Sequence, residues 1–244
     1  MDDYLTSDRD SRFTFQVAAD VVTVTQWKVS DGQLKALTAI HNDLADIHPL
    51  LARMDGYYIP LGTLQAGMAG GEGPHLCYHD AAFRGRERVP CLALYQIKQY
   101  GACIWGPLLA KTLDYITWDD VVRNMDYNVN VYWAAAQRRL VLFLSDEYVS
   151  FTVLTLCRIL ATLKRGEIVS KRAAGENAME TLPPKWKPLI CEAIDLHSAS
   201  CSAAAVSDKW LGNLFRRIRR AGETRRFLAY MLRVLRDELN QRNG

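Results

Sequence analysis

Histidine and cysteine cluster in the first half of the chain. His75, Cys77 and His79 alternate, and Cys91 and Cys103 follow. Imidazole nitrogen and thiolate sulfur are the ligands that zinc prefers, and four of them close a tetrahedron. On a strand the alternating triplet shares one face. His75, Cys77, His79 and Cys91 are therefore a candidate structural zinc site, the one cofactor to which the residues point. Zinc signatures pair ligands two to four residues apart, twice, and H-x-C-x-H with a lone distant cysteine is not that pattern. A second set, Cys191, His197 and Cys201, could join it or act alone, and on one continuous helix His197 and Cys201 would share a face. The competing reading makes the cysteines small buried hydrophobes. No nucleophile signature surrounds any cysteine. Cys157 lies in the most apolar segment, where a thiol is inert.

Arginine forms the densest chemical feature. Arg216, Arg217, Arg219 and Arg220, then Arg225 and Arg226, alternate with Leu211, Leu214, Phe215 and Ile218 and lead into Leu228, Met231, Leu232, Leu235 and Leu239. The apolar residues form a helical stripe. The guanidinium fork suits phosphate or carboxylate. These six arginines, with Trp210 and Phe215, are the candidate surface for a partner or for RNA or DNA. The ordinary alternative is a solvated basic face on an amphipathic helix.

Stretches of mixed periodicity must position these groups. Residues 1–12 are polar and read as a flexible N-terminus. Phe13, Phe15, Val17 and then Val22, Val24 alternate like half-buried strands. Ser30 and Gln33 form a capping box ahead of a helix carrying Leu34, Leu37, Ile40, Leu44, Ile47 and Leu51, which Pro49 must end or kink. His41 and His48 lie on or beside its apolar face. Gly67–Pro74 reads as a loop, since a phosphate cradle needs a preceding strand, a following helix and usually a lysine. Residues 91–97 predict a strand, and 107–116 a short helix. Thr117 caps a turn containing Trp118, Asp119 and Asp120.

Val129 and Val131 alternate with asparagines, and Leu140–Leu144 follows, which predicts a β-hairpin over 128–144. Ser145 then opens a helix with Asp146 and Glu147 in its first turn, Lys164 and Arg165 in its last, and Gly166 as its stop. Apolar residues cover nearly every side, so this helix belongs at the centre of a domain. Residues 167–183 read as a linker or surface loop, and 184–197 and 207–240 as helices, the latter broken at Gly222. The expected architecture is helix-dominated α+β. A central buried helix packs on a small antiparallel sheet in a core over 13–166, and 184–244 forms a helical region ending in the Arg-rich amphipathic helix.

Bulk composition narrows the classes. The chain has 244 residues, 49% of them hydrophobic and 23% charged, close to globular averages, which excludes disordered or fibrous chains. No apolar run reaches membrane-spanning length, and the acidic start lacks secretory character. Six cysteines fit a reducing intracellular setting. The net charge of +3 hides an asymmetry, since residues 207–244 hold ten basic and four acidic side chains.

The order of several motifs resembles the adenovirus early-region-4 34-kDa protein family. These are Val29–Leu37 (V-S-x-x-x-L-x-x-L) with His41, the His75–Cys77–His79 cluster, Trp118-Asp119-Asp120-Val121-Val122-x-Asn124-Met125, Arg138-Arg139-Leu140-Val141-Leu142 and the arginine-faced helix. The resemblance implies a non-enzymatic viral adaptor in the nucleus and cytoplasm of a host cell. It implies a substrate receptor for a cullin–RING ubiquitin ligase, partnered by elongins and a viral early protein. Thr155, Leu156, Leu160 and Leu163 would be its elongin box, with Leu160 where that family has cysteine. The alternative expectation is a nucleic-acid-binding viral nucleoprotein or coat protein that uses the basic helix.

Overall fold

The computed structural model describes residues 21–26, 28–47, 55–65, 72–77, 82–88, 91–106, 109–201 and 210–243. The chain divides into two compact units, Met1–Val121 and Val122–Gly244. Phe13, Phe15, Val17, His48 and His79 lie outside the described residues.

The first unit is built on a four-stranded sheet in the order β1 (Val21–Thr25), β2 (Asp55–Pro60), β3 (Glu72–Cys77), β4 (Ala82–Arg88). β1 lies parallel to β2, with Val22 beside Tyr57 and Val24 beside Ile59. The other two pairs are antiparallel. A parallel pair needs a crossover, and α1 (Asp31–Ile47) lies in that connection. The capping box forms as read, with the Ser30 amide donating to Gln33 Oε1 at 2.9 Å and the Gln33 amide to Ser30 Oγ at 3.4 Å. The apolar stripe of α1 is only partly used, since Ile40, Leu44 and Ile47 stay exposed.

Tyr57 and Ile59 of β2 enter a core with Leu64 of α2 (Leu61–Gln65), Cys91, Ala93 and Leu94 of α3 (Cys91–Tyr100), and Leu113 and Ile116. Residues 91–97 are thus helical and not a strand. The buried Cys91 and Leu94 are three apart, on one helical face.

The second unit is helical, and here the expected hairpin fails. α4 (Trp118–Tyr127), which begins in the first unit and continues in the second, runs into a six-residue π-helix, Asn128–Trp133, then into the single turn α5 (Ala134–Ala136), and Leu140–Leu144 is a 3-10 turn. Val129 and Trp133 are fully buried while Val131 is half exposed, so the burial spacing is four and not two. The helix-dominated α+β class stands. The sheet, however, is mixed and lies in the first unit, so α6 does not pack on strands over 128–144.

α6 (Asp146–Arg165) is the centre of the second unit, as its all-round apolar surface requires. The Tyr148 amide donates to the Ser145 cap, and Gly166 closes the helix at φ 72°. Around α6 lie α7 (Lys171–Thr181), α8 (Lys187–Cys201) and α9 (Trp210–Asn243). The stretch expected to be a linker therefore contains a helix. Ser170 caps α7, and Ala174, Gly175 and Ala178 are buried in it. A Cβ on Gly175 would lie 2.9 Å from Leu154 of α6 and 3.1 Å from Ile194 of α8, so glycine permits this approach.

α9 runs without a break. Glycine inside a helix costs about 1 kcal/mol relative to alanine. Burial of Phe227, Leu228, Met231, Leu232, Leu235 and Leu239 in the same helix outweighs that cost. Among the described residues no helix is long and apolar enough to cross a membrane.

Candidate functional site

The capping box at Thr117 sets the start of α4. The Thr117 amide donates to Asp120 Oδ2 at 2.8 Å, and the Asp120 amide to Thr117 Oγ1 at 3.4 Å. Val121, Met125, Val129 and Trp133 are buried at a spacing of four. In an α-helix that spacing drifts round the axis. The π-helix turns less per residue and brings Trp133 back toward the buried side. The backbone irregularity thus serves one large side chain. Trp133 lies edge-on to Tyr132 at 4.9 Å between ring centroids and tilted against Phe151 at 5.4 Å. Burial first, then the neighbouring Tyr132, pushes the Tyr148 phenol up to about 12.

Polar groups gather along α4 and the π-helix. Arg236 Nε donates to Asn130 Oδ1 at 2.9 Å, and Asn130 Nδ2 donates to Asp126 Oδ1 at 2.9 Å. Asn128 Nδ2 donates to the Asn124 carbonyl at 2.8 Å. Asp126 is half-buried, and among the described residues its second oxygen has no hydrogen bond. Tyr127 beside it is 58% exposed. A carboxylate fixed through an amide by a guanidinium, with one oxygen open, suits an ammonium or hydroxyl group. π-turns inside α-helices occur frequently at functional sites. Sequence reasoning missed this cluster because the V-N-V alternation read as a strand. The recurring amides Asn124, Asn128 and Asn130 were the available signal.

The residues expected to carry function fall elsewhere. His75 and Cys77 lie on β3, opposite Tyr57 and Asp55 of β2. Cys91 is buried in the core of the first unit. Among the described residues no three His, Cys, Asp or Glu side chains could hold a metal ion, so zinc is not supported. Leu156, Leu160 and Leu163, expected to dock elongin, are core residues of α6. Cys157 is buried in the same helix, and burial pushes its thiol up to about 12.

The arginine set divides. Arg220 is 2% exposed and bonds both Asp146 of α6 and Glu192 of α8, the latter at 3.1 Å. Arg217 pairs with the other oxygen of Asp146 at 3.2 Å. These two arginines join helices instead of awaiting a partner. Arg219 pairs with Glu223 on its own helix, and Arg226 Nε donates to the Gly222 carbonyl. Arg216, Arg225 and Phe215 are exposed, and Trp210 begins α9.

In the first unit His41 Nε2 lies 2.8 Å from the Tyr58 hydroxyl. Burial holds His41 below its ordinary value and raises Tyr58. A bond between two such neutral groups joins α1 to β2.

Residues 114–216 match the family model for the C-terminal domain of aminoglycoside adenylyltransferase. The fold resembles the crystal structure of spectinomycin adenyltransferase AAD(9) from Enterococcus faecialis with ATP and spectinomycin. The TM-score is 0.60 with 19% sequence identity, covering 87% of this chain and 82% of that one. No match is found among curated proteins. These findings overturn the resemblance to the adenovirus early-region-4 34-kDa family. With it go the non-enzymatic adaptor, the elongin–cullin and viral partners, and the viral nucleic-acid-binding alternative. The matched family is one of enzymes.

Proposed function

We propose that this chain transfers the adenylyl group of ATP to a hydroxyl of an aminoglycoside antibiotic. The observation that carries this reading is the family match over residues 114–216. The likeness in fold to a spectinomycin adenyltransferase over 87% of the chain supports it. In the reaction the antibiotic hydroxyl oxygen attacks the α-phosphorus of ATP. The bond from that phosphorus to the bridging oxygen breaks, pyrophosphate leaves, and the hydroxyl proton passes to a base. Aminoglycosides carry ammonium and hydroxyl groups, and the matched stretch contains Asp126 with one carboxylate oxygen open. In this reading Asp126 receives such a group, and Asn130 and Arg236 hold it in place.

The test uses the purified full chain, ATP labelled at the α-phosphorus, and spectinomycin together with a panel of other aminoglycosides. Labelled antibiotic should form with release of pyrophosphate. Asp126→Asn should raise the KM for the antibiotic about tenfold, the worth of one charge-assisted hydrogen bond, with a smaller change in kcat. No labelled product with any antibiotic would sink the reading. Full activity in Asp126→Asn would remove that residue's role and leave the reaction standing.

A further inference from the structure

The 3-10 turn Leu140–Leu144 and the middle of α9 enclose an open groove of about 550 Å³ in the second unit. That volume lies within the range of small-molecule sites, roughly 300–1,000 Å³. Leu140, Val141 and Ile218 line it, together with Gly222, Arg225 and Arg226. Among the described residues the two arginines are its only charged lining groups, and no acid faces it. Val141 is 77% exposed and Ile218 53% exposed, so the walls present apolar surface to solvent.

Gly222 adds an independent observation. Packing does not require glycine here, because a Cβ would meet only Arg226 Nη2, at 3.9 Å. The helix nevertheless carries its cost of about 1 kcal/mol. What the missing side chain provides is depth, since Gly222 lines the groove. Arg226 is steadied by its bond to the Gly222 carbonyl, and Arg225 forms no ion pair among the described residues.

We propose that this groove binds a small amphiphilic anion, with its apolar body between Val141 and Ile218 and its acidic group on Arg225 and Arg226. Charge complementarity selects the anion, and the floor at Gly222 selects a compact body over a bulky one. The proposal does not depend on the adenylyl-transfer reading.

The experiment titrates the full chain with the fluorescent anion 8-anilinonaphthalene-1-sulfonate and, in parallel, with neutral N-phenyl-1-naphthylamine. The native chain should bind the sulfonate at one saturable site. Gly222→Leu fills the floor and should weaken both probes by about tenfold or more, the worth of burying an aromatic body. The double variant Arg225→Glu with Arg226→Glu should weaken the sulfonate by about tenfold and spare the neutral probe, as loss of a charge-assisted contact requires. Thermal melts by circular dichroism check each fold, and Val141→Glu, at an exposed position, replaces Gly222→Leu if that variant does not fold. Absence of saturable binding would overturn the proposal. So would sulfonate binding that survives either change, an equal loss of both probes on charge reversal, or sedimentation showing a second copy seated on this face.

Discussion

Cys157 and Cys191 lie on neighbouring helices with opposite prospects. Burial pushes the Cys157 thiol up to about 12, whereas Cys191 and Cys103 stand at the surface. Only thiolate alkylates readily. Native protein treated with iodoacetamide should therefore label at Cys103 and Cys191 and stay unlabelled at Cys157 and the buried Cys91, as peptide mass spectrometry would show. Early labelling at Cys157 would mean that α6 opens. His197 on α8 is held below its ordinary value, first by burial and then by Lys171. Below the ordinary imidazole value near 6.5 the unfolded chain binds a proton that the folded helix disfavours. Stability present above about pH 6.5 is thus lost as pH falls toward the lower folded value. His41 has a shift of the same sign. His197→Gln should flatten this acid-side loss, seen as thermal midpoints that fall less between about pH 7 and 5.5 than in the native chain. An unchanged slope would assign the effect to other groups.

At the level of elements, Gly175 sets how closely α7 approaches α6 and α8. Gly175→Leu would force its side chain into Leu154 and Ile194. It should cost about 3 kcal/mol, the upper end for overpacking, measured by urea unfolding. A loss below about 1 kcal/mol would show that α7 can shift outward cheaply. α7 was hard to read because its buried face is made of Ala174, Gly175 and Ala178. Small residues bring a helix close without producing an apolar period. The same chain states other elements openly. Ser145 and Asp146 mark the start of α6, Lys164, Arg165 and Gly166 mark its end, and Ser30 with Gln33 marks the start of α1. Caps are local chemistry and are written in adjacent residues. The π-helix is not, since it answers to where Trp133 must lie. Its two valines, two residues apart, mimic a strand. The candidate site on that segment was invisible for the same reason. The arginines of α9 were visible as a group, but not their division into paired and exposed members, because Asp146 and Glu192 lie far away in sequence.

At the level of the molecule, Arg220 ties three helices of the second unit together. Arg220→Ala would leave Glu192 without this partner, Asp146 with only Arg217, and a gap in a buried position. The carboxylates are each about a third exposed, so water takes over part of the lost pairing. The expected cost is about 2–3 kcal/mol in urea unfolding, and less for Arg220→Met, which keeps the bulk. Equal losses for the two variants would show that the charge, and not the packing, matters. Asp146 also opens α6, where its charge suits the positive end of the helix dipole. The chain is synthesised from its N-terminus, so this carboxylate emerges long before Arg217 and Arg220. In that interval α7 and α8 can cover α6, but the side reserved for α9 stays uncovered, with Asp146 at its edge. The apolar side of α6 that α9 covers is therefore exposed until α9 leaves the ribosome. Until Arg217 and Arg220 arrive, the Asp146 carboxylate at that edge is left to water.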